Sequence, residues 1–356
     1  MNVLMVTRDT GPWLALEKIG KAFYEQGILF SMPFTFKLYN ADPPGISVDQ
    51  VSKLVTDEGM GFDVVVCGMS SSPELAKEEL AACEAAVKAG IPLCLFADTF
   101  RSWARPWFEP YRQAASALFV INPEEAEKAR NLFPHAKIVA SGNPAWEDFF
   151  FPKYTREEVR QKLEITDEQK MILVPGGKCL AQNMLLFGAV IEAANQPGSG
   201  YRVVLTLHPG DSNPSEIYAD LVKYSRTLVL VIPKEMLSGS EIIPGCDVVV
   251  QSGSTIGIEA ACQRKPVIEY LTYVGLGNWE RQTGSRKMET IELGIAGELR
   301  AFHGIHELSL YIHQLTGAEH IARLGSLAQQ EKVFPQPAEK GVAVKMIINT
   351  LQELCQ

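Results

Sequence analysis

The sequence predicts an α/β protein of two domains, each a doubly wound parallel sheet, facing each other across a cleft. Three observations lead there. Short β-branched runs such as Val64-Val65-Val66 and Val248-Val249-Val250 have the composition of strands buried on both faces of a parallel sheet. Such runs alternate with helix-period segments in two successive rounds along the 356 residues, and this alternation builds parallel sheets. Between the rounds, Phe149 to Tyr154 carries three consecutive phenylalanines and a proline and breaks the rhythm. The expected boundaries are 1–150, 151–335 and a final helical stretch, 336–356, that crosses back to the first domain. A cleft is expected because ligands of such sheets bind outside the carboxyl ends of the strands.

The elements follow in order. Asn2–Thr7 reads as the first strand, Trp13 to Gln26 as a helix closed by Gly27, and Phe34–Leu38 holds a second strand. Val48 to Glu58 reads as helix, Asp63–Gly68 as strand, Glu74–Ala89 as amphipathic helix and Leu93–Ala97 as strand. Ala117–Ile121 and Ile138–Ala140 are strands around a helix at Pro123–Leu132. After the break, Thr155-Arg156-Glu157-Glu158 has the form of a capping box. Strands are expected at Lys170–Val174, Arg202–Leu207, Leu228–Ile232, Asp247–Val250 and from Val267, with helices at Asn183–Ala194, Ser215–Tyr224 and Ile256–Gln263. Leu271 to Thr283 reads as irregular, and the tail from His306 as helical with a proline break at Pro335–Pro337 and a last helix near Val342–Glu353.

Composition excludes several classes. A formal net charge of −9 argues against a non-specific nucleic-acid binder. Hydrophobic content of 46% with 21% charged residues is that of a soluble globular chain, and no run approaches the ~18 apolar residues of a membrane span. Seven cysteines without CxxC spacing read as buried thiols in a reducing cytoplasm. No G-x-G-x-x-G follows the first strand, which lowers the oxidoreductase reading. His303, His306, His313 and His320 read as surface residues, and no zinc signature is present.

Asp247 to Ile268 is the most informative stretch. Gln251-Ser252-Gly253-Ser254-Thr255 is a small-residue loop that admits a ligand close to the backbone, with Ser254 or Thr255 as N-cap of the next helix. A helix start of this kind favours phosphate, and Glu259, one turn in, is placed to accept hydrogen bonds from sugar hydroxyls. The plainer alternative is an ordinary cap and a solvated glutamate. Pro175-Gly176-Gly177-Lys178 is a glycine turn whose lysine suits a phosphate, or simply faces solvent. His208 at a strand end suits a hydrogen bond to phosphate, general acid–base work or a structural role. Asp98, after Leu93–Ala97, suits a general base for an acceptor hydroxyl, a helix cap or a partner for Arg101. Arg8, Asp9, Thr10 and Gly11 end the first strand and form a second acceptor-side set.

With these motifs the chain resembles the GT-B superfamily, two Rossmann-like domains, which includes UDP-N-acetylglucosamine 2-epimerases and nucleotide-sugar glycosyltransferases. The resemblance spans nearly the whole chain and is sharp at Ser252-Gly253-Ser254-Thr255 with Glu259, at Thr206-Leu207-His208-Pro209, at Ser141-Gly142-Asn143-Pro144 and at Pro175-Gly176-Gly177-Lys178. It implies that the serine–glycine loop holds a diphosphate, Glu259 the ribose, and His208 the donor phosphates. The 2-epimerases carry a His-Arg-Arg-Glu-Asn type run where this chain has His208-Pro209-Gly210-Asp211, and a glycine–aspartate pair where it has Cys67-Gly68-Met69-Ser70-Ser71. Together with the residue reading, the leading expectation is a glycosyltransferase-like enzyme, metal-independent because backbone and helix dipole carry the phosphate charge, with Asp98 and His208 catalytic. Its donor would be a nucleotide-diphosphate sugar, UDP-sugars first, bound by Gly177, Lys178, His208, Ser252–Thr255 and Glu259. Its acceptor would lie by Arg8, Thr10, Gly11 and Arg101. A 2-epimerase-like reaction and a non-catalytic nucleotide-sugar-binding protein stand as alternatives. No cofactor, nucleic acid or integral membrane segment is implied, and a homodimer is compatible.

Overall fold

Successive residues of a strand face opposite sides of its sheet, so a strand apolar at every position needs a covering layer on both faces. Two such sheets are present in the computed structural model, which describes residues 1–32, 47–57, 60–195, 200–223, 225–233, 235–274, 277, 299–302 and 304–356. The chain divides into two units, Met1–Asp148 with Pro337–Gln356, and Phe149–Gln336.

Unit 1 contains β1 (Asn2–Val6), β2 (Leu29–Ser31), β3 (Val64–Gly68), β4 (Leu93–Phe96), β5 (Ala115–Val120) and β6 (Lys137–Ala140). They form one parallel sheet in the order β2-β1-β3-β4-β5-β6. Leu4, Val6, Val65 and Leu95 point to one face, under the helices Val48–Thr56 and Lys77–Ala89. Val3, Met5, Val64 and Phe96 point to the other, under the helix Thr10–Glu25 and the C-terminal helix Val342–Leu354, which contributes Ile347, Ile348 and Leu351. Glu147 fixes the start of that last helix by accepting from Gly341 N at 2.8 Å and Ala343 N at 2.7 Å, a carboxylate set on the positive end of the helix dipole.

Unit 2 contains β7 (Lys170–Pro175), β8 (Tyr201–Thr206), β9 (Leu228–Ile232), β10 (Val248–Gln251), β11 (Val267–Leu271) and β12 (Leu299–Phe302). The order is β12-β11-β10-β7-β8-β9, again all parallel. Ile172, Val174, Val203 and Val250 face the helices Leu180–Ala194 and Ile305–Thr316, while Met171, Leu173, Val204 and Val249 face Val159, Ile242 and Ala260. Strand order reverses direction between β1 and β3 in unit 1 and between β7 and β10 in unit 2. Crevices at such reversals are where doubly wound sheets bind ligands.

The expected strand at Phe34–Leu38 lies outside the described residues. The edge strands β2 and β12 and the 3₁₀ turns Ser102–Ala104 and Pro106–Tyr111 are additions to the sequence reading. The first helix begins at Thr10 rather than Trp13. Asp9 accepts from Thr10 N at 2.8 Å, and Pro12 removes only an N–H that the first turn leaves without a helical partner. Conversely, the helix expected from Glu74 begins at Lys77, and that expected to reach Gln263 ends at Cys262. His320, expected to be a plain surface residue, caps the helix Ile321–Val333 by accepting from Ala322 N at 3.2 Å.

Asp247 anchors the start of β10. It accepts from Met171 N (2.8 Å), Arg160 (2.8 Å) and Arg156 (3.0 Å), and Arg160 is itself only 2% exposed. Removing one member of a buried pair leaves the other charge unbalanced. Asp247→Ala is therefore expected to lower the stability of unit 2 by about 3–5 kcal/mol, whereas Arg156→Ala, at the more exposed side, costs about 1 kcal/mol. Urea titrations of the two variants check the difference; equal costs would remove Asp247 as the anchor.

Candidate functional site

Unit 2 assembles its candidate residues from the loops at the carboxyl ends of β7, β8 and β10. The β7 loop is fixed by Gly176 N donating to Thr206 O at 2.8 Å. The helix that follows returns Asn183, fully buried, to accept from Gly177 N (2.7 Å) and donate to Gly177 O (3.0 Å). Asn183 also reaches Asp211 Oδ2 (3.2 Å) and Tyr218 Oη (3.1 Å), and Tyr218 Oη donates to the same Asp211 oxygen at 2.7 Å. Asp211 closes the β8 loop with its N–H on His208 O at 2.9 Å. Within that loop Gly210 N donates to His208 Nδ1 at 2.8 Å. A Cβ at Gly210 would lie 3.2 Å from His208 Nδ1 and 3.4 Å from Lys178 Cε, so these two candidates share one glycine as a neighbour. Lys178 is exposed and His208 half-buried.

The β10 loop is tied to the β7 side by Gln182, which donates to Ser252 O at 3.0 Å. Gly253 turns the loop with φ +67°, a left-handed conformation that favours glycine. Of the two expected caps, Thr255 takes the N-cap position and Ser254 supplies the side-chain oxygen at the helix start. Thr255 occupies the N-cap position in helical conformation without a side-chain bond, Ser254 N is held by Gln251 Oε1 at 2.6 Å, and Ser254 Oγ accepts from Ile256 N at 3.4 Å. The helix spans Ile256–Cys262, only seven residues, so the loop rather than a long helix dipole defines this end. Glu259 receives Ser240 Oγ at 2.6 Å, and burial raises its carboxyl above the ordinary carboxylate range, an effect the Ser240 bond opposes. Asn183, Asp211, Tyr218 and Ser240 are residues that motif reading passed over.

Unit 1 gathers a second set at the ends of β1, β3 and β4. Asp9 accepts from Ser71 N (2.9 Å) and Ser71 Oγ (2.5 Å), and Asp9 N donates to Ser70 Oγ at 3.2 Å. Trp107 covers this loop with its indole N–H on Ser70 O at 3.2 Å. Gly11 lies directly against Asp98, where any Cβ would overlap the carboxylate. Asp98 is 7% exposed, and its backbone carbonyl receives Asn143 Nδ2 at 2.7 Å, so the Ser141–Pro144 turn supports the β4 loop. Thr10 is exposed beside Gly11. Arg101 is not drawn in among them. It adopts φ 54°, donates its backbone N–H to Glu125 at 2.7 Å and leaves its side chain exposed.

Beneath this set lies Glu79, fully buried on the helix Lys77–Ala89 and missed from sequence. Its carboxylate accepts from Ser70 Oγ (2.7 Å), Ser70 N (3.0 Å) and Arg8 N (3.4 Å), bracing the β1 and β3 loops, while Arg8 forms an ion pair with Glu78. The signal was available: Glu79 shares a helical face with Ala82, Cys83 and Ala86, all buried. Among the described residues no three His, Cys, Asp or Glu side chains are grouped to hold a metal ion. No helix of the described residues is long and apolar enough to cross a membrane.

No protein-family model matches the sequence, and no curated protein sequence matches it. Solved structures do. A UDP-GlcNAc 2-epimerase from Neisseria meningitidis bound to UDP-GlcNAc superposes with a TM-score of 0.63 at 16% identity, over 99% of this chain and 100% of that one. A glycosyltransferase from Rickettsia africae gives 0.55 at 14% identity, over 100% and 98%. The Anabaena protein HepE in complex with UDP gives 0.56 at 15% identity, over 99% and 100%. The chain therefore has the GT-B fold, an α/β fold of two domains.

Burial is the main cause raising the Glu79 carboxyl from 4.5 to about 7, with the bonds from Ser70 and Arg8 pulling the other way. Between those values the native state keeps a proton that the unfolded chain has released, so stability falls as pH rises through this window and levels off above it. The expected loss is on the order of 1–3 kcal/mol. Denaturation at stepped pH should show this slope in the wild type and a clearly shallower one in Glu79→Gln, the raised Glu259 carboxyl supplying part of what remains; an unaltered slope would assign it to another group.

Proposed function

We propose that the chain is an enzyme of glycosyltransferase type whose unit 2 binds a nucleotide-diphosphate sugar, UDP-sugars first, and whose unit 1 holds the acceptor. One observation carries this reading. The Gly177–Lys178 turn, His208 and the Ser252–Thr255 loop lie at the strand ends around the β7/β10 reversal, with Glu259 on the helix that follows, and hydrogen bonds through Asn183, Asp211 and Gln182 link the three loops. That the similar structures include proteins described with UDP-GlcNAc and UDP supports the choice of donor.

In transfer, the bond between the anomeric carbon and the diphosphate breaks as an acceptor oxygen bonds to that carbon. Negative charge grows on the departing diphosphate. Lys178 supplies a point charge to it, His208 a hydrogen bond, and the glycine-turned loop a close approach of backbone, so that stabilisation grows as the bond breaks. Glu259 fixes the donor by accepting from ribose hydroxyls. Asp98, on the acceptor side, takes the proton of the attacking hydroxyl. The enzymatic alternative, 2-epimerisation of the same donor, draws support from the fold's match to a 2-epimerase; it requires no acceptor.

A ligand that binds only the folded state raises the melting temperature by mass action. UDP or a UDP-sugar is expected to do so where GDP, CDP and NAD do not. The double variant Ser254→Ala with Glu259→Ala should weaken UDP binding by about 100-fold, two hydrogen bonds' worth, one of them to a charged group. Unchanged affinity would contradict the site. Turnover only with an acceptor mixture marks a transferase, turnover of donor alone an epimerase, and affinity without product a binding protein.

A further inference from the structure

The mechanism above leaves unexplained a group of buried polar side chains behind the phosphate-side loops. Asn183, Asp211 and Tyr218 are 0%, 1% and 0% exposed. They sit on three separate elements: the helix after β7, the β8 loop and the 3₁₀ turn Ser215–Tyr218. Burying a carboxylate and an amide is costly unless their bonding capacity is used. Here Asp211 Oδ2 receives Tyr218 and Asn183, and its Oδ1 receives Asn213 N at 3.0 Å and Asn213 Nδ2 at 2.7 Å. Burial, reinforced by the Asp211 charge, pushes the Tyr218 hydroxyl up to about 12, so it remains a donor at any physiological pH. The same Asn183 amide holds both backbone groups of Gly177, next to Lys178. The same Asp211 ends the turn in which Gly210 N–H points at His208 Nδ1. A ring nitrogen that accepts an N–H carries no proton, so the neutral ring must hold its proton on Nε2.

We propose that Asn183, Asp211 and Tyr218 are positioning residues that lock the Gly177–Lys178 and His208–Asp211 loops into one unit. They thereby keep His208 in the Nε2–H form, as a hydrogen-bond donor to a diphosphate rather than a general base. The proposal rests on the nucleotide-sugar reading for the identity of the anion, but the tautomer and its dependence on the network do not. Tyr218→Phe is the natural probe. It removes one donor to Asp211 and keeps the ring, which packs edge-on against Phe187 with centroids 5.3 Å apart.

The test combines nitrogen-15 NMR of the His208 ring with UDP titration of the full chain. The wild type is expected to show a protonated Nε2 and a bare Nδ1. Tyr218→Phe should shift the ring toward a tautomer mixture and weaken UDP by about tenfold, the scale of a hydrogen bond to a charged group. His208→Gln, which carries an amide donor at the reach of Nε2, should bind UDP about tenfold more tightly than His208→Ala. A proton on Nδ1 in the wild type overturns the proposal, as does an identical ring spectrum in Tyr218→Phe, or equal UDP affinity in the two His208 variants. Should Tyr218→Phe not fold, the wild-type tautomer and the His208 pair decide. Should the wild type ignore UDP, the nucleotide reading fails, while the ring spectra of wild type and Tyr218→Phe still support or overturn the network.

Discussion

A buried polar side chain that spans two loops is the constraint on which both candidate sites depend. Strand-end loops carry the chemistry of a parallel sheet, yet a loop of small residues has little apolar surface with which to hold itself in place. In unit 2 the amide of Asn183 supplies the hold, bonding to the β7 loop on one side and to Asp211 of the β8 loop on the other. In unit 1 the carboxylate of Glu79 does the equivalent for the β1 and β3 loops. Both side chains come from helices that cover the sheet, and both are fully buried, so water does not compete for their bonds.

The two braces differ in kind. Asn183 carries no charge, and its network is satisfied by a tyrosine and a second amide around one carboxylate. Glu79 is itself the ionisable group, and burial outweighs the donors around it, so its grip depends on pH near neutrality. Rigid loops suit a diphosphate, whose charge is best met by groups that do not have to reorganise.

The architecture was legible in the sequence because it is written in period and punctuation. β-branched runs marked the central strands, and Thr155 with Glu158 forms the capping box their spacing implied. Edge strands such as β2, three residues long and half exposed, have no such pattern and escaped. Loop candidates were legible as clusters of glycine, serine and one charged residue. Their supports were not. Asn183 sits within an apolar helix, 28 residues from Asp211 and 35 from Tyr218, and nothing in one sequence pairs residues so far apart. The Ser254–Thr255 helix start was legible, but its division of labour was not: Thr255 holds the N-cap position, Ser254 Oγ takes the first helical N–H, and Gln251 Oε1 holds Ser254 N.

Everything proposed for unit 2 requires one ligand to touch three strand ends at once. Hydrogen exchange with and without saturating UDP tests this directly. The expected result is slowed exchange confined to 176–182, 207–213 and 251–262, the loops after β7, β8 and β10. Protection elsewhere in the chain, or none at any of the three, would contradict a nucleotide site at the β7/β10 reversal.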